Sequence, residues 1–309
     1  MPDYAYRLEK YAGPKTRHTC PECNKPRQFS RYVSAETGEY LSDHVGRCNR
    51  EDKCGYHFTP RQFFADNPAT RKPTTPHRQT SNNEDQKYHS LPYELVQRSM
   101  QVEPKSNLHS FLLSRFGPTA LDHVTTQFRL GSSAAKEHHT VFWQVDITGA
   151  VRSGKVINYN PDTGKRCDKV DWVHSMISRK TGKPYVLKQC YFGEHQLATN
   201  TDKAVAMVES EKTAVIASIA LPEYLWIASG GVTGCRWMDR GVSSVLLGRK
   251  VVLFPDLNMF ERWKGYAADL RKQVSIEISV SDLIERASTQ AEKEKKEGYD
   301  IADFLLKRL

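Results

Sequence analysis

The chain has 309 residues, 26% of them charged and 39% apolar, with a formal net charge of +9. That length leaves room for two domains and a small module, and the cationic excess favours a polyanionic partner, although ribosomal, membrane-surface and nucleic-acid proteins share it. No apolar run approaches the length of a bilayer-spanning helix, and the start Met1-Pro-Asp-Tyr-Ala-Tyr6 lacks the basic-then-apolar order of a signal peptide, so a cytoplasmic location without a membrane partner is expected.

The first motif is Cys20-Pro-Glu-Cys23, followed by Cys48-Asn-Arg-Glu-Asp-Lys-Cys54. Two short loops that each carry two thiolates, brought together by an intervening hairpin, suit a tetrahedral structural Zn²⁺ with four protein ligands. The second spacing is wider than a tight pair, which leaves His44, His18 or His57 open as a substitute ligand. Around the cysteines lie Arg17, Lys25, Arg27, Arg31, Arg47, Arg50 and Lys53, with Phe29, Tyr32, Tyr40, Tyr56 and Phe58 among them. Cations can follow phosphates while rings stack on bases, though rings in so small a module also serve to pack it. The other three cysteines, Cys167, Cys190 and Cys235, read as free thiols rather than members of a disulfide framework.

Residues 67–86 carry three prolines and almost no large apolar side chain, which predicts a flexible tether over 66–87 between a module at 1–65 and the rest. Residues 88–200 read as a mixed α+β subdomain: helices over 107–116 and 118–124, then strands over 140–146 and 151–159 separated by turns at Thr148-Gly149 and Pro161–Gly164. Lys155, Lys165, Arg166, Lys169, Arg179, Lys180, Lys183 and Lys188 make this stretch basic. Lys188 ranks first among them as a functional cation because it stands nearest the C-terminal domain. Gly149-Ala-Val-Arg-Ser-Gly154-Lys155 nearly matches a phosphate-binding loop, but Val156 replaces the metal-holding hydroxyl and a strand follows, not a helix. There is no ATPase motor here, so a helicase would be a separate chain.

From residue 201 the chain alternates strand and helix: strands at 205–208, 224–228, 251–254 and 275–280, helices over 212–220 and 259–271, and a long charged helix from Asp282 to about Glu297. Strands this apolar predict a parallel sheet covered on both faces. The first ends in Glu209-Ser-Glu211-Lys212 and the third in Pro255-Asp256-Leu-Asn258, where open α/β sheets place their chemistry. The chain closes on Gly298-Tyr-Asp300-Ile-Ala-Asp303-Phe-Leu. Acids after strands also serve as helix caps and solvated turn residues. Glu211 and Lys212 read as an exposed pair in a first helical turn, with Lys212 long enough to reach a phosphate.

An acid after one strand, Asp256-x-Asn258 after a later one, and Asp300 with Asp303 near the end resemble, in that order, the acidic elements of the Toprim fold shared by bacterial DnaG-type primases, topoisomerases and some nucleases. The resemblance covers residues 202–309 and implies a Rossmann-like parallel-sheet catalytic domain over 201–309. It further implies that Glu209 manages a proton and that Asp256 holds Mg²⁺ or Mn²⁺, with Asn258, Asp300 and Asp303 as further candidate ligands. Asn258 departs from the family, which usually has a second Asp there; an amide oxygen ligates without adding charge. A zinc ribbon ahead of such a domain again resembles the primases, and the cysteine spacing looks closest to primase-like proteins of mobile elements in Bacteroides-type bacteria. The stretch Lys188–His195 resembles the segment that leads into the primase Toprim domain.

The resemblance implies a DNA primase: a nucleotidyltransferase that makes short primers on single-stranded DNA from nucleoside triphosphates, with a separate replicative helicase, for replication of a mobile element. Joining a 3′-hydroxyl to an α-phosphate needs clustered carboxylates and metal, and Glu209, Asp256, Asn258, Asp300, Asp303, Lys188 and Lys212 are the candidates. The alternatives are a Toprim nuclease using the same acids, and a non-catalytic, zinc-dependent accessory protein that binds single-stranded DNA.

Overall fold

A computed structural model describes residues 6–34, 37–50, 53–66, 88–231, 234–294 and 298–308. The expected tether lies outside the described residues apart from Asp66. Contacts divide the chain into two compact units, one containing residues 6–66 and the other residues 88–308.

The first unit is an antiparallel sheet in the order β1 (Tyr6–Leu8), β2 (Phe29–Ser34), β3 (Gly46–Cys48), β4 (His57–Phe58), followed by α1 (Pro60–Asp66). Its interior is small: Cys20, Phe29, Val33, Val45 and Cys48 are buried. Gly46 is required by packing, since a Cβ there would stand 2.2 Å from the Ser30 carbonyl and 2.5 Å from the Phe29 ring.

The second unit opens with α2 (Glu94–Met100) and α3 (Asn107–Phe128). The two expected helices meet at Gly117, whose φ 79° and ψ 174° are non-helical and break the run just ahead of Pro118, and the second extends to Phe128. An antiparallel sheet follows, ordered β5 (Gly131–Ser132), β6 (Thr140–Val145), β7 (Val151–Ile157), β8 (Asp171–Trp172). Asp146 sets the β6–β7 turn, its Oδ1 accepting from Thr148 and Ala150 N–H and its Oδ2 from Arg152. The near-phosphate-loop sequence is therefore a strand, β7. After β8 comes a helix that strand-dominated reading misses, α4 (Val173–Thr181). Its signal is Val173, Met176 and Ile177 on one face and Gly182 beyond its end.

The remaining chain builds a parallel sheet ordered β10-β9-β11-β12, from β9 (Val205–Val208), α5 (Glu211–Ala220), β10 (Leu225–Ala228), α6 (Arg240–Ser243), β11 (Lys250–Leu253), α7 (Phe260–Gln273) and β12 (Glu277–Val280). Both faces are covered, as the continuous apolar runs predict. Ala206, Val208, Trp226 and Ala228 face one core, shared with α3, α5, Phe142 and Ile157. Val205, Met207, Leu225, Ile227 and Leu253 face the other, under Trp237, Trp263 and Leu270.

The expected long helix from Asp282 is broken into α8 (Leu283–Ala287) and α9 (Gln290–Glu294), with 295–297 outside the described residues. Thr289 and Glu292 form a reciprocal cap, each side chain accepting from the other's backbone N–H, which restarts the helix. The last element is α10 (Ile301–Leu306). Among the described residues no helix is long and apolar enough to cross a membrane.

Candidate active site and cysteine cluster

Strand order decides where a crevice opens. From β9 the chain passes through α5 to β10 on one side, then returns through α6 to β11 on the other side of β9. The carboxyl ends of β9 and β11 therefore flank the point where winding reverses, the usual ligand position in open parallel sheets. Glu209 follows β9 there and Asp256 follows β11.

Two further acids arrive from the C-terminal helix. Asp300 is the N-cap of α10 and forms a reciprocal box with Asp303: Asp303 N–H donates to Asp300 Oδ1 at 3.0 Å, and Asp300 N–H to Asp303 Oδ2 at 3.3 Å. The Leu257 N–H donates to the Tyr299 carbonyl at 2.8 Å, tying this end to the segment after β11. Thr213, in the first turn of α5, donates its hydroxyl to Asp300 Oδ2. Burial and the nearby Asp300, Glu209 and Asp303 push Asp256 up to about 8. Burial and Asp300 also raise Asp303, against the pull of Lys212 and Lys165. Burial and the neighbouring carboxyls together make the charged form of Asp256 costly, so it holds its proton near neutral pH.

Lys212 belongs to this end of the sheet. Its ammonium donates to the Gly164 carbonyl at 2.9 Å and lies 6.0 Å from the Tyr159 ring centroid. Asn258 is directed elsewhere: exposed and at φ 68°, it donates from its side-chain amide to the Lys293 carbonyl at 3.0 Å, and its N–H donates to Glu285 at 2.7 Å. Lys188 is exposed on the segment before Cys190, its ammonium 5.6 Å from the Tyr88 ring centroid.

Glu211 corrects the sequence reading. It is not exposed but 3% accessible, and its carboxylate pairs with Lys155 of β7 at 3.0 Å. Lys155 also donates to the Gly230 carbonyl at 2.9 Å. Gly230 takes φ 82°, and with Gly231 it donates N–H to the Glu209 carbonyl at 2.9 and 3.1 Å. The buried pair thus braces the loop that holds the Glu209 backbone, linking the antiparallel sheet to the carboxyl edge of the parallel one. Removing one partner strands the other charge in the core, so Lys155→Met is expected to cost about 3 kcal/mol, and Lys155→Met with Glu211→Leu to recover much of it. Denaturant unfolding of wild type, the single variant and the double variant measures this; a single variant as stable as wild type contradicts it. Lys155 and Glu211 read in the sequence as surface charges and Thr213 carried no signal, because the burial of the ion pair and the turn of α5 toward Asp300 depend on the crossing of the two sheets.

In the first unit the sulfurs of Cys20, Cys23, Cys48 and Cys54 lie within 4.8 Å of one another, with Cys20–Cys54 at 3.8 Å and Cys23–Cys48 at 4.0 Å. Zn–S bonds of about 2.3 Å at tetrahedral angles separate sulfurs by roughly 3.8 Å, so the four thiols fit zinc. The backbone bond at Lys25 draws the Cys23 thiol down to about 7, while burial raises Cys48. The Arg50 guanidinium lies 3.8 Å from the Cys23 sulfur, a donor to a thiolate. The histidines left open as ligands are occupied elsewhere: His18 with Tyr40, His57 with Tyr32, and His44 with Ser42 and the Phe58 ring. Among the described residues these cysteines alone bring three or more Cys, His or carboxylate ligand atoms within 4.8 Å of one another.

Residues 4–69 match the zinc beta-ribbon finger family. The N-terminal unit is similar to zinc ribbons, and its cysteine cluster supports Zn²⁺. Residues 106–257 match a domain of unknown function, DUF6371. The chain is also similar to the primase fragment of the bacteriophage T7 primase-helicase protein, at 13% identity over 86% of this chain and 89% of that one, with a TM-score of 0.34, a likeness too distant to carry an argument. No curated protein matches the chain.

Proposed function

We propose that the chain is a Toprim-type, primase-like nucleotidyltransferase acting on single-stranded DNA. The observation that carries this reading is the gathering of Glu209, Asp256, Asp300 and Asp303 around the switch point of the parallel sheet, where burial first, and then the nearby Asp300, Glu209 and Asp303, raise Asp256 to about 8. Carboxylate oxygens are the donor type that suits a hard ion such as Mg²⁺ or Mn²⁺, and to share one ion these side chains would have to draw together, since no three of their oxygens lie within 4.8 Å of one another. When bound, the ion supplies neutralisation of phosphate charge and activation of a hydroxyl.

In this reading Asp256, Asp300 and Asp303 would hold the metal. Glu209 would take the proton of the attacking 3′-hydroxyl. Lys212 and the exposed Lys165 and Arg166 would hold nucleotide phosphates. The zinc ribbon and the other basic residues, Lys188 among them, would hold the template, with a separate helicase supplying unwound DNA. Asn258 would act from outside the ligand set, through its contact with the α9 segment. Replication of a mobile element in the cytoplasm is the setting proposed.

Primer synthesis on mixed-sequence single-stranded DNA, with labelled nucleotides and Mg²⁺ or Mn²⁺, tests the reading. Wild type should yield short oligonucleotides, and Glu209→Gln about a hundredfold less, as expected for loss of a positioned proton acceptor. Shortened DNA instead would identify a nuclease, and DNA bound but intact, with no product, an accessory binder.

A further inference from the structure

A cavity of about 400 Å³ lies at the opposite edge of the parallel sheet. Its walls come from the end of α3 (Gln127, with Arg129 capping it), the 3-10 turn Glu194–Ala198 (His195, Gln196), Lys203 just before β9 and Tyr224 just before β10. Lys203 and Tyr224 enter the strands that Glu209 and Gly230 leave, so about 13 Å of strand separates the cavity from the carboxylates. It is a second place on the same unit, outside the proposed catalytic crevice.

The chemistry of its walls is specific. Four buried side-chain atoms among these residues have no hydrogen-bond partner: Gln127 Oε1, Arg129 Nη1, His195 Nδ1 and Gln196 Nε2. Native interiors rarely leave such groups unmatched, and a cluster of four around one cavity points to a ligand. Gln127 Nε2 donates to Gln196 Oε1 at 2.8 Å. Turning both amides over exchanges the roles, yet one spare donor and one spare acceptor remain. His195 Nε2 lies 3.1 Å from the Gln127 carbonyl, so it carries the proton and leaves Nδ1 as an acceptor. Burial and Arg129 hold His195 down to about 4, which keeps the ring neutral at pH 7. Gln196 is 7% accessible, so its spare group is costly to leave unmatched.

The cavity thus offers a guanidinium, an ammonium and the partly exposed Tyr224 ring, and its walls hold spare donors and acceptors that are sealed from water. Lys203 uses one donor on the Pro222 carbonyl at 2.8 Å and keeps two. We propose that this cavity binds one nucleotide unit, its phosphate on Arg129 and Lys203 and its base read by Gln127, His195 and Gln196 once their side chains turn toward it. A free nucleotide and the phosphorylated end of a strand share that chemistry. The inference does not depend on the carboxylates being catalytic.

Calorimetric titration of the full chain in buffer without added divalent cation tests it, using the four ribonucleoside monophosphates, a 5′-phosphorylated hexadeoxynucleotide and ribose 5-phosphate as separate probes. Saturable one-to-one binding is expected of at least one monophosphate or of the phosphorylated strand, weakened roughly tenfold or more in Gln196→Leu and in Lys203→Met, as loss of a hydrogen bond at a charged or buried polar group predicts. Lys203 is exposed, so its variant reports even where Gln196→Leu fails to fold. Binding of monophosphates identifies a free nucleotide, and binding of the strand alone a strand end. The proposal is overturned by ribose 5-phosphate binding as tightly as any nucleotide, by no binding to a chain that melts cooperatively, or by binding that needs Mg²⁺ and is untouched by both variants.

Discussion

Cys48→Ala, or chelation of zinc, is expected to unfold residues 6–66 while the second unit keeps its own thermal transition. The first unit buries only a handful of apolar side chains, and two of them, Cys20 and Cys48, are themselves candidate ligands at 0% exposure. So few buried groups fall far short of the ordering entropy of some sixty residues. Structural zinc contributes on the order of 10 kcal/mol in small ribbons, more than the rest of this core can. Amide dispersion of the labelled full chain, before and after chelation, would measure the loss. A first unit that keeps dispersed amides without metal would show that the sheet and the packing of the Phe29 and Tyr56 rings, whose centroids are 5.8 Å apart, suffice.

Asp256→Asn is expected to do two opposite things: abolish metal-dependent synthesis and stabilise the metal-free fold. Loss of a central carboxylate ligand should lower primer synthesis by roughly a thousandfold or more, since a bound ion supplies several kcal/mol of charge stabilisation. The stability effect follows from the ordinary Asp value of 3.8 and the raised value of about 8 in the fold. Between those pH values the folded chain keeps a proton that the unfolded chain has lost, so this group makes stability fall as pH rises from about 4 to about 8. Asparagine has no such proton. In buffer without divalent cation the variant should therefore be more stable than wild type by on the order of 2 kcal/mol at pH 8, with the gap closing toward pH 4. Mg²⁺ should raise the melting temperature of wild type and leave the variant unmoved. Equal responses to Mg²⁺ would remove Asp256 from any ligand set.

Much of this was legible in the sequence for a physical reason. The strands β9 and β11 announce themselves because a parallel sheet buried on both faces must be continuously apolar, and acids at their ends can lie only at the carboxyl edge. The cysteine pairs are equally plain, as few other arrangements explain two knuckles in so small a core. Local capping hid the break between α8 and α9, where Thr289 and Glu292 satisfy each other's backbone in the midst of a helical pattern. The Lys155–Glu211 pair was hidden differently. Each residue reads as a surface charge, and only the approach of β7 to the first turn of α5 buries them together. The cavity at Gln127, His195 and Gln196 left no sequence signal at all, because its walls come from four separate stretches of chain.

The core that the antiparallel and parallel sheets share has a consequence for ancestry. Phe142 and Ile157 from one sheet and Ala206, Val208 and Trp226 from the other pack in a single cluster, with α3 and α10 closing it. Neither sheet can be inherited without the other, since a gene cut between them would bare that cluster on both fragments. The cysteine-held unit has an interior of its own, so exchanging it would bare no part of that shared cluster. Descent should therefore reshuffle the ribbon and keep the two sheets together.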